Sequence, residues 1–233
     1  MASRFNPVAI ISGLQAIKDW LLDLIFPRNC YGCGREGASI CPNCIEKLDI
    51  VPNPIDREAN GLEELISVAL YRDPLWQKVL QSLKYDYNIE ISSALDDVFI
   101  KLIRDNPDIK NLDFDAVVPV PLHQRRYLER GFNQAEIIAE KICQFTGWPL
   151  EIEGLIRTRN TPPQARLEDD ARRKNVEKAF SVATDDFFKN KKVILVDDVF
   201  TTGSTLYEAA AAVRSSGAKK ISAWVVTRRS RKA

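Results

Sequence analysis

Apolar residues along the chain fall into two alternating periods. Ile10, Leu14, Ile17, Leu21 and Leu24 recur at three- and four-residue steps and stop at Pro27. With Asn6 as N-cap and Pro7 at the first helical position, the pattern predicts an amphipathic helix within residues 1–26. Its stripe suits packing on the main domain or a partner subunit, with a membrane surface as the alternative. Further on, residues 66–71 read as a strand, 75–83 as a helix and 116–120 as a strand. Asn133 can cap a helix that presents Ile138, Ile142 and Phe145 on one face and ends at Gly147.

The clearest alternation lies near the C-terminus. Residues 193–196 form a fully apolar run, followed by a polar turn and then by a helical stripe of Leu206, Ala209, Ala210 and Val213. Gly217 stops that helix, and residues 221–227 read as another strand. Strand, turn, helix and strand over this length predict a parallel βαβ unit with a right-handed crossover, hence an α/β fold. Pro52, Pro54 and their polar neighbours interrupt the pattern and predict a linker over 51–61. The expected organisation is an N-terminal helix (1–26), a cysteine module (27–50), the linker and a main domain over 62–233.

Composition narrows this picture without changing it. The 233 residues are 45% hydrophobic and 28% charged, which suits a soluble globular chain. Thirty-three basic residues against thirty-two acidic ones leave a net charge of +1, so any affinity for nucleic acid must come from local clusters. Two such clusters are visible: residues 157–178 hold seven Lys or Arg with four acids, and residues 219–233 hold six basic residues with no acid. Gln15, Lys18, Asp19 and Asp23 interrupt the apolar N-terminal stretch, and no small-residue cleavage site follows it. Neither a signal peptide nor a membrane span is expected, which makes the cytoplasm the default compartment.

Four of the five cysteines lie within fifteen residues, as Cys30-x2-Cys33 and Cys41-x2-Cys44 separated by seven residues. Two such knuckles can converge on one tetrahedral ion with Zn–S bonds of about 2.3 Å, and four sulfur ligands leave no open position for water. The expected site is structural zinc, with a redox pair or iron as alternatives. Gly32-x-Gly34-x-x-Gly37 matches a dinucleotide fingerprint in letters only, since it neither follows an apolar strand nor opens a helix.

The densest chemistry follows the run at 193–196. Asp197 and Asp198 stand at the carboxyl end of that strand, where open α/β sheets bind ligands, and Thr201, Thr202, Gly203, Ser204 and Thr205 lead into a helix N-terminus. Hydroxyls and backbone amides there suit a phosphate monoester, and Gly203 lets the backbone approach it closely. Acids cannot bind that phosphate, so they suit vicinal sugar hydroxyls on the same ligand. This segment resembles the phosphate-turn signature of type I phosphoribosyltransferases. Pro119-Val-Pro-Leu-His-x-Arg-Arg, Arg130-Gly-Phe-Asn-Gln134, the series Thr161, Gln164, Leu167, Arg172, Asn175, Ala179 and Phe180, and the cysteine module before the domain further resemble the ComF family of competence-associated proteins over residues 26–228.

The resemblance implies a type I phosphoribosyltransferase-like parallel sheet flanked by helices and a ligand, phosphoribosyl pyrophosphate, bound with magnesium. Thr201 to Thr205 would take the 5′-phosphate, Asp197 and Asp198 the ribose hydroxyls, and Arg125, Arg126 and Arg130 the pyrophosphate, whose oxygens suit guanidinium forks. The implied reaction is transfer of phosphoribose to a nitrogenous acceptor. Purine-salvage relatives carry an additional acid where this chain has Thr201, which disfavours a 6-oxopurine. The rival expectation is a non-catalytic ligand-binding module that handles single-stranded DNA during uptake, with Tyr127, Phe132 and Trp224 available to stack bases. Residues 157–178 resemble the loop that closes over the reaction centre in related enzymes, and His123 has no assigned role.

Overall fold

The computed structural model describes residues 29–57, 61–85, 89–160 and 178–229. Residues up to Lys47 and residues from Leu48 onward form two compact units. The helix expected within 1–26 and the basic segment at 161–177 lie outside the described residues. No described helix is long and apolar enough to cross a membrane.

The first unit holds one short helix, α1 (Pro42–Glu46). The second is built on a five-stranded sheet of β1 (Ile55–Asp56), β2 (Leu65–Leu70), β3 (Ala116–Pro119), β6 (Lys192–Phe200) and β7 (Lys220–Arg228), in the order β1-β2-β7-β6-β3. All neighbours pair in parallel except β1, which is antiparallel at the edge. A separate antiparallel pair consists of β4 (Leu155–Arg157) and β5 (Phe180–Val182). The helices are α2 (Pro74–Tyr85), α3 (Ile89–Asp105), α4 (Gln124–Arg130), α5 (Gln134–Thr146) and α6 (Ser204–Ser215).

The expected α/β architecture and the β6–α6–β7 unit are present. Two readings of the pattern need correction. The segment expected to be a linker carries β1, with Val51 and Pro54 buried and Val51 N–H donating to the Val68 carbonyl at 2.9 Å. Its prolines fit a sheet edge as well as a linker, because an edge strand can spare amide donors. The second is the arginine-rich stretch after β3: it carries no apolar stripe and the pattern assigns it no element, yet it is the helix α4. His123 caps it by accepting from Arg125 N–H through Nδ1 at 3.2 Å, and Gly131, at φ +78°, ends it.

Alternation along the strands sorts side chains onto two faces. Leu65, Ala116, Val118, Val193, Leu195, Ala223 and Val225 share one core with Leu206, Ala209, Ala210 and Val213 of α6. On the opposite face Trp224, 1% exposed, packs edge-on against Phe99 of α3 at 5.8 Å and Trp148 at 6.4 Å, and Phe99 meets Phe145 of α5. α2 buries Trp76, Val79, Leu80 and Leu83 along one stripe, with Asp73 Oδ1 capping its first turn through Leu75 N–H at 2.8 Å. Both layers meet the carboxyl end of β6.

Candidate functional site

In the first unit, Gly34 at φ +76° closes the first knuckle and donates its N–H to the Cys30 carbonyl at 2.8 Å. The second knuckle is the start of α1, with Cys41 as N-cap and Cys44 N–H donating to the Cys41 carbonyl. The four sulfurs lie within 4.8 Å of one another, and Cys33 Sγ stands 3.6 Å from Cys41 Sγ. A tetrahedron with Zn–S bonds of about 2.3 Å has S–S edges of about 3.8 Å, so the cluster fits one zinc. Burial pushes the Cys30 thiol up, but the Cys41, Cys33 and Gly32 amides aimed at its sulfur outweigh burial and bring it down to about 6. Burial and hydrogen bonds with the other three sulfurs push Cys44 up to about 12. Crowded sulfurs of this kind ionise together only against a cation.

In the second unit, β6 runs past its apolar stretch because pairing with β7 continues through the acids, from Asp197↔Val225 to Phe200↔Arg228. Strand alternation turns Asp197 to the α6 face and Asp198 to the other. Asp198 N–H donates to Asp197 Oδ1 at 2.8 Å. Lys84, near the end of α2, forms an ion pair with Asp198 Oδ2 at 2.5 Å.

The two carboxylates are therefore shifted in opposite directions. Burial drives Asp197 well above the usual aspartate range, and the neighbouring Asp198 charge adds to the effect. Burial also opposes ionisation of Asp198, but the Lys84 charge and hydrogen bond overcome it and hold the group below its ordinary value. Lys84 is raised in return, although burial and the nearby Arg130 work against it. The neighbours are thus pushed in opposite directions, Asp197 toward its protonated form and Asp198 toward its ionised one, and carboxyl groups of both kinds bond sugar hydroxyls.

The turn after β6 is held by its own side chains. Thr202 Oγ1 and Ser204 Oγ lie 2.8 Å apart, and Ser204 N–H donates to Thr202 Oγ1 at 3.4 Å. Ser204 is buried, so its hydroxyl organises the turn, while Thr201, Thr202 and Thr205 are half-exposed. Gly203 sits at φ +75°, where a Cβ would lie 2.5 Å from the Tyr207 ring and 2.6 Å from Phe200. The glycine thus serves backbone conformation and aromatic packing. As N-cap of α6 it supplies no side-chain cap, and a helix N-terminus of this kind favours an anion.

The expected arginines divide between two faces of α4. Arg125 is exposed and pairs with Glu129 at 3.1 Å, away from the carboxylates. Arg126 and Arg130 are half-buried one turn apart, and Arg130 donates to Gln134 Oε1 at 3.0 Å. Arg130 acts electrostatically on Lys84, and Arg126 on Arg157. Arg157, at the end of β4, stacks its guanidinium over Phe180 at 5.3 Å. Burial first, then the Arg126 charge, bring Arg157 down to about 10, while Asp197 acts in the opposite sense. Lys84 and Arg157 therefore act directly on the acid pair, with Arg130 near Lys84 and Arg126 near Arg157.

Sequence reasoning missed Lys84 and Arg157. Lys84 has a sequence signal, because it continues the stripe of Trp76, Val79, Leu80 and Leu83, where a charge needs a partner. Arg157 has none beyond its place in a basic stretch. Among the candidate base-stacking residues, Phe132 and Trp224 are buried and Tyr127 is exposed. Thr161, Gln164, Leu167, Arg172 and Asn175 lie outside the described residues, whereas Ala179 and Phe180 are buried beside β4.

A phosphoribosyl transferase domain matches residues 165–233, and a double zinc ribbon domain matches residues 21–56. DNA utilization protein YhgH of Escherichia coli (strain K12) is 31% identical, covering 85% of this chain and 88% of that protein. Competence protein F of Haemophilus influenzae is 29% identical over 85% and 84% of the two chains, and competence protein ComFC of Bacillus subtilis 29% identical over 85% and 77%. With a parallel sheet ending in two acids and a phosphate-type turn, preceded by a four-cysteine zinc-ribbon module, the chain belongs to the ComF family of phosphoribosyltransferase-like, competence-associated proteins.

Proposed function

We propose that the second unit binds phosphoribosyl pyrophosphate as its magnesium complex and transfers phosphoribose to a nitrogenous acceptor. The observation carrying this reading is the placement of the Asp197–Asp198 pair at the end of β6, directly before the hydroxyl-rich turn into α6 and with Lys84 ion-paired to Asp198. Thr201, Thr202, Thr205 and the first amides of α6 take the 5′-phosphate. Asp197 and Asp198 take the ribose hydroxyls, and Arg126 and Arg130 face the pyrophosphate. Arg125, turned outward, is left out of this set.

Among the described residues, the cysteine cluster is the one group of three or more His, Cys, Asp or Glu placed to share an ion. Magnesium would come with the ligand and would supply charge neutralisation of the leaving pyrophosphate. In transfer, the acceptor nitrogen bonds to the anomeric carbon as the bond to pyrophosphate oxygen breaks, and pyrophosphate departs with the electron pair. The protein contributes position and field. The names of the relatives, a DNA utilization protein and two competence proteins, favour a role for this activity in DNA utilization.

Calorimetry with magnesium phosphoribosyl pyrophosphate, alongside pyrophosphate release with a panel of nitrogenous bases, tests both parts. Binding together with release in the presence of one base is expected. Binding without release across the panel would make the protein a ligand-binding module, and absence of binding would remove the reading altogether.

A further inference from the structure

The contact between Lys84 and Asp198 joins two elements far apart in sequence at the place where ligand recognition is proposed. Lys84 lies on the buried stripe of α2, and its side chain is 29% exposed, against 8% for that of Asp198. Oδ2 of Asp198 is buried with Lys84 Nζ beside it. The same carboxylate also takes part in a hydrogen bond with the Asp197 side chain and accepts from its own backbone N–H, so the ion pair fixes one oxygen of a group already tied into the acid pair. Asp197 on β6 and Arg130 from α4 also act on the Lys84 ammonium, and Arg157, with Arg126 near it, acts on Asp197.

We propose that Lys84 is a positioning residue of the ligand site: its ammonium anchors Oδ2 of Asp198 and so fixes the orientation in which that carboxylate meets a ribose hydroxyl. This rests on the reading of the acid pair as the sugar-hydroxyl site. Physically, a carboxylate at the end of a strand can rotate about its side-chain bonds, and a short ion pair removes that freedom before the ligand arrives. The anchor also keeps Asp198 ionised without bringing a cation between the pair and the sugar. A neutral, rotating Asp198 would accept a weaker hydrogen bond from the ligand.

The test compares the full chain with Lys84→Met, which keeps length and apolar character, and Lys84→Arg, which keeps the charge. The first measurement needs no ligand: the carboxyl carbon of Asp198 is titrated by nuclear magnetic resonance. In the parent and in Lys84→Arg it should titrate below the ordinary aspartate range, and in Lys84→Met above it. The second is calorimetry with magnesium phosphoribosyl pyrophosphate, where Lys84→Met should bind about tenfold more weakly or worse and Lys84→Arg within about threefold of the parent. An unmoved Asp198 titration in a folded Lys84→Met protein overturns the proposal, as does parental affinity in that variant. If the parent binds no phosphoribosyl pyrophosphate, the ligand reading fails while the titration still decides the anchor.

Discussion

Replacing the two carboxylates singly by amides should shift stability in opposite directions, although they are neighbours of the same residue type. Asp198→Asn removes one member of an ion pair and leaves Lys84 without its counter-charge. Breaking a fully buried pair this way costs about 3–5 kcal/mol. Lys84 keeps 29% of its side chain exposed and can turn toward water, so about 2 kcal/mol is the expected loss. For a domain of roughly 150–250 residues that corresponds to a melting temperature about 4–8 °C lower.

Asp197→Asn acts the other way. The native group is held above its unfolded value by burial and by Asp198, so it opposes folding once the pH exceeds the ordinary aspartate range. Asparagine removes that opposition, and the variant should melt at or above the parent at pH 7. Its advantage should vanish as the pH falls through the aspartate range, where residue 197 is protonated in both folded and unfolded chains. The Asp198→Asn deficit should persist to lower pH, because the native Asp198 is held below its ordinary value and its contribution is lost only as the pH falls through that lowered value. Circular dichroism melts of the three proteins between pH 3.5 and 8, without ligand, measure all of this. Equal losses in both variants, or no loss in Asp198→Asn, would refute the opposed shifts of Asp197 and Asp198.

Metal analysis should find one zinc per chain, lost in Cys33→Ser, with melting of residues 48–233 unchanged because they form their own compact unit. Gly203→Ala, forced into φ +75° with its methyl against Tyr207 and Phe200, should lose about 1–3 kcal/mol in thermal unfolding. Glu64 is buried, yet Lys220 at 2.8 Å and Ser222 at 2.6 Å hold it below the usual glutamate value, so Glu64→Gln should cost about 1–3 kcal/mol at pH 7. That deficit should shrink as acid protonates the native carboxylate below the ordinary glutamate range.

The β6–turn–α6–β7 segment was legible because its signals are local: an apolar run, two acids, a hydroxyl-rich turn and a helical stripe closed by glycine. The cysteine cluster was legible for the same reason. α3 was left unassigned, although Ala94, Leu95, Val98, Phe99 and Leu102 form a buried stripe. The isoleucines and serines at its start weaken the helical signal. α4 gives no pattern to read, because it buries no residue and owes its ends to His123 and Gly131. The charge state of the acid pair could not be read at all, since it depends on Lys84 and Arg157, which only tertiary packing brings beside residues 197 and 198.

Because side chains alternate along β6, Asp197 and Asp198 belong to opposite layers of the domain, one under α6 and one beside α2. A sugar that engages both therefore sits across the end of the strand like a rivet through two plates. Loosening either plate releases it, so occupancy would tie the opening of one layer to that of the other. Amide exchange should then slow in both α2 and α6 when the sugar binds, although the sheet lies between them. The pair that recognises the ligand would also make it a mechanical fastener for the domain.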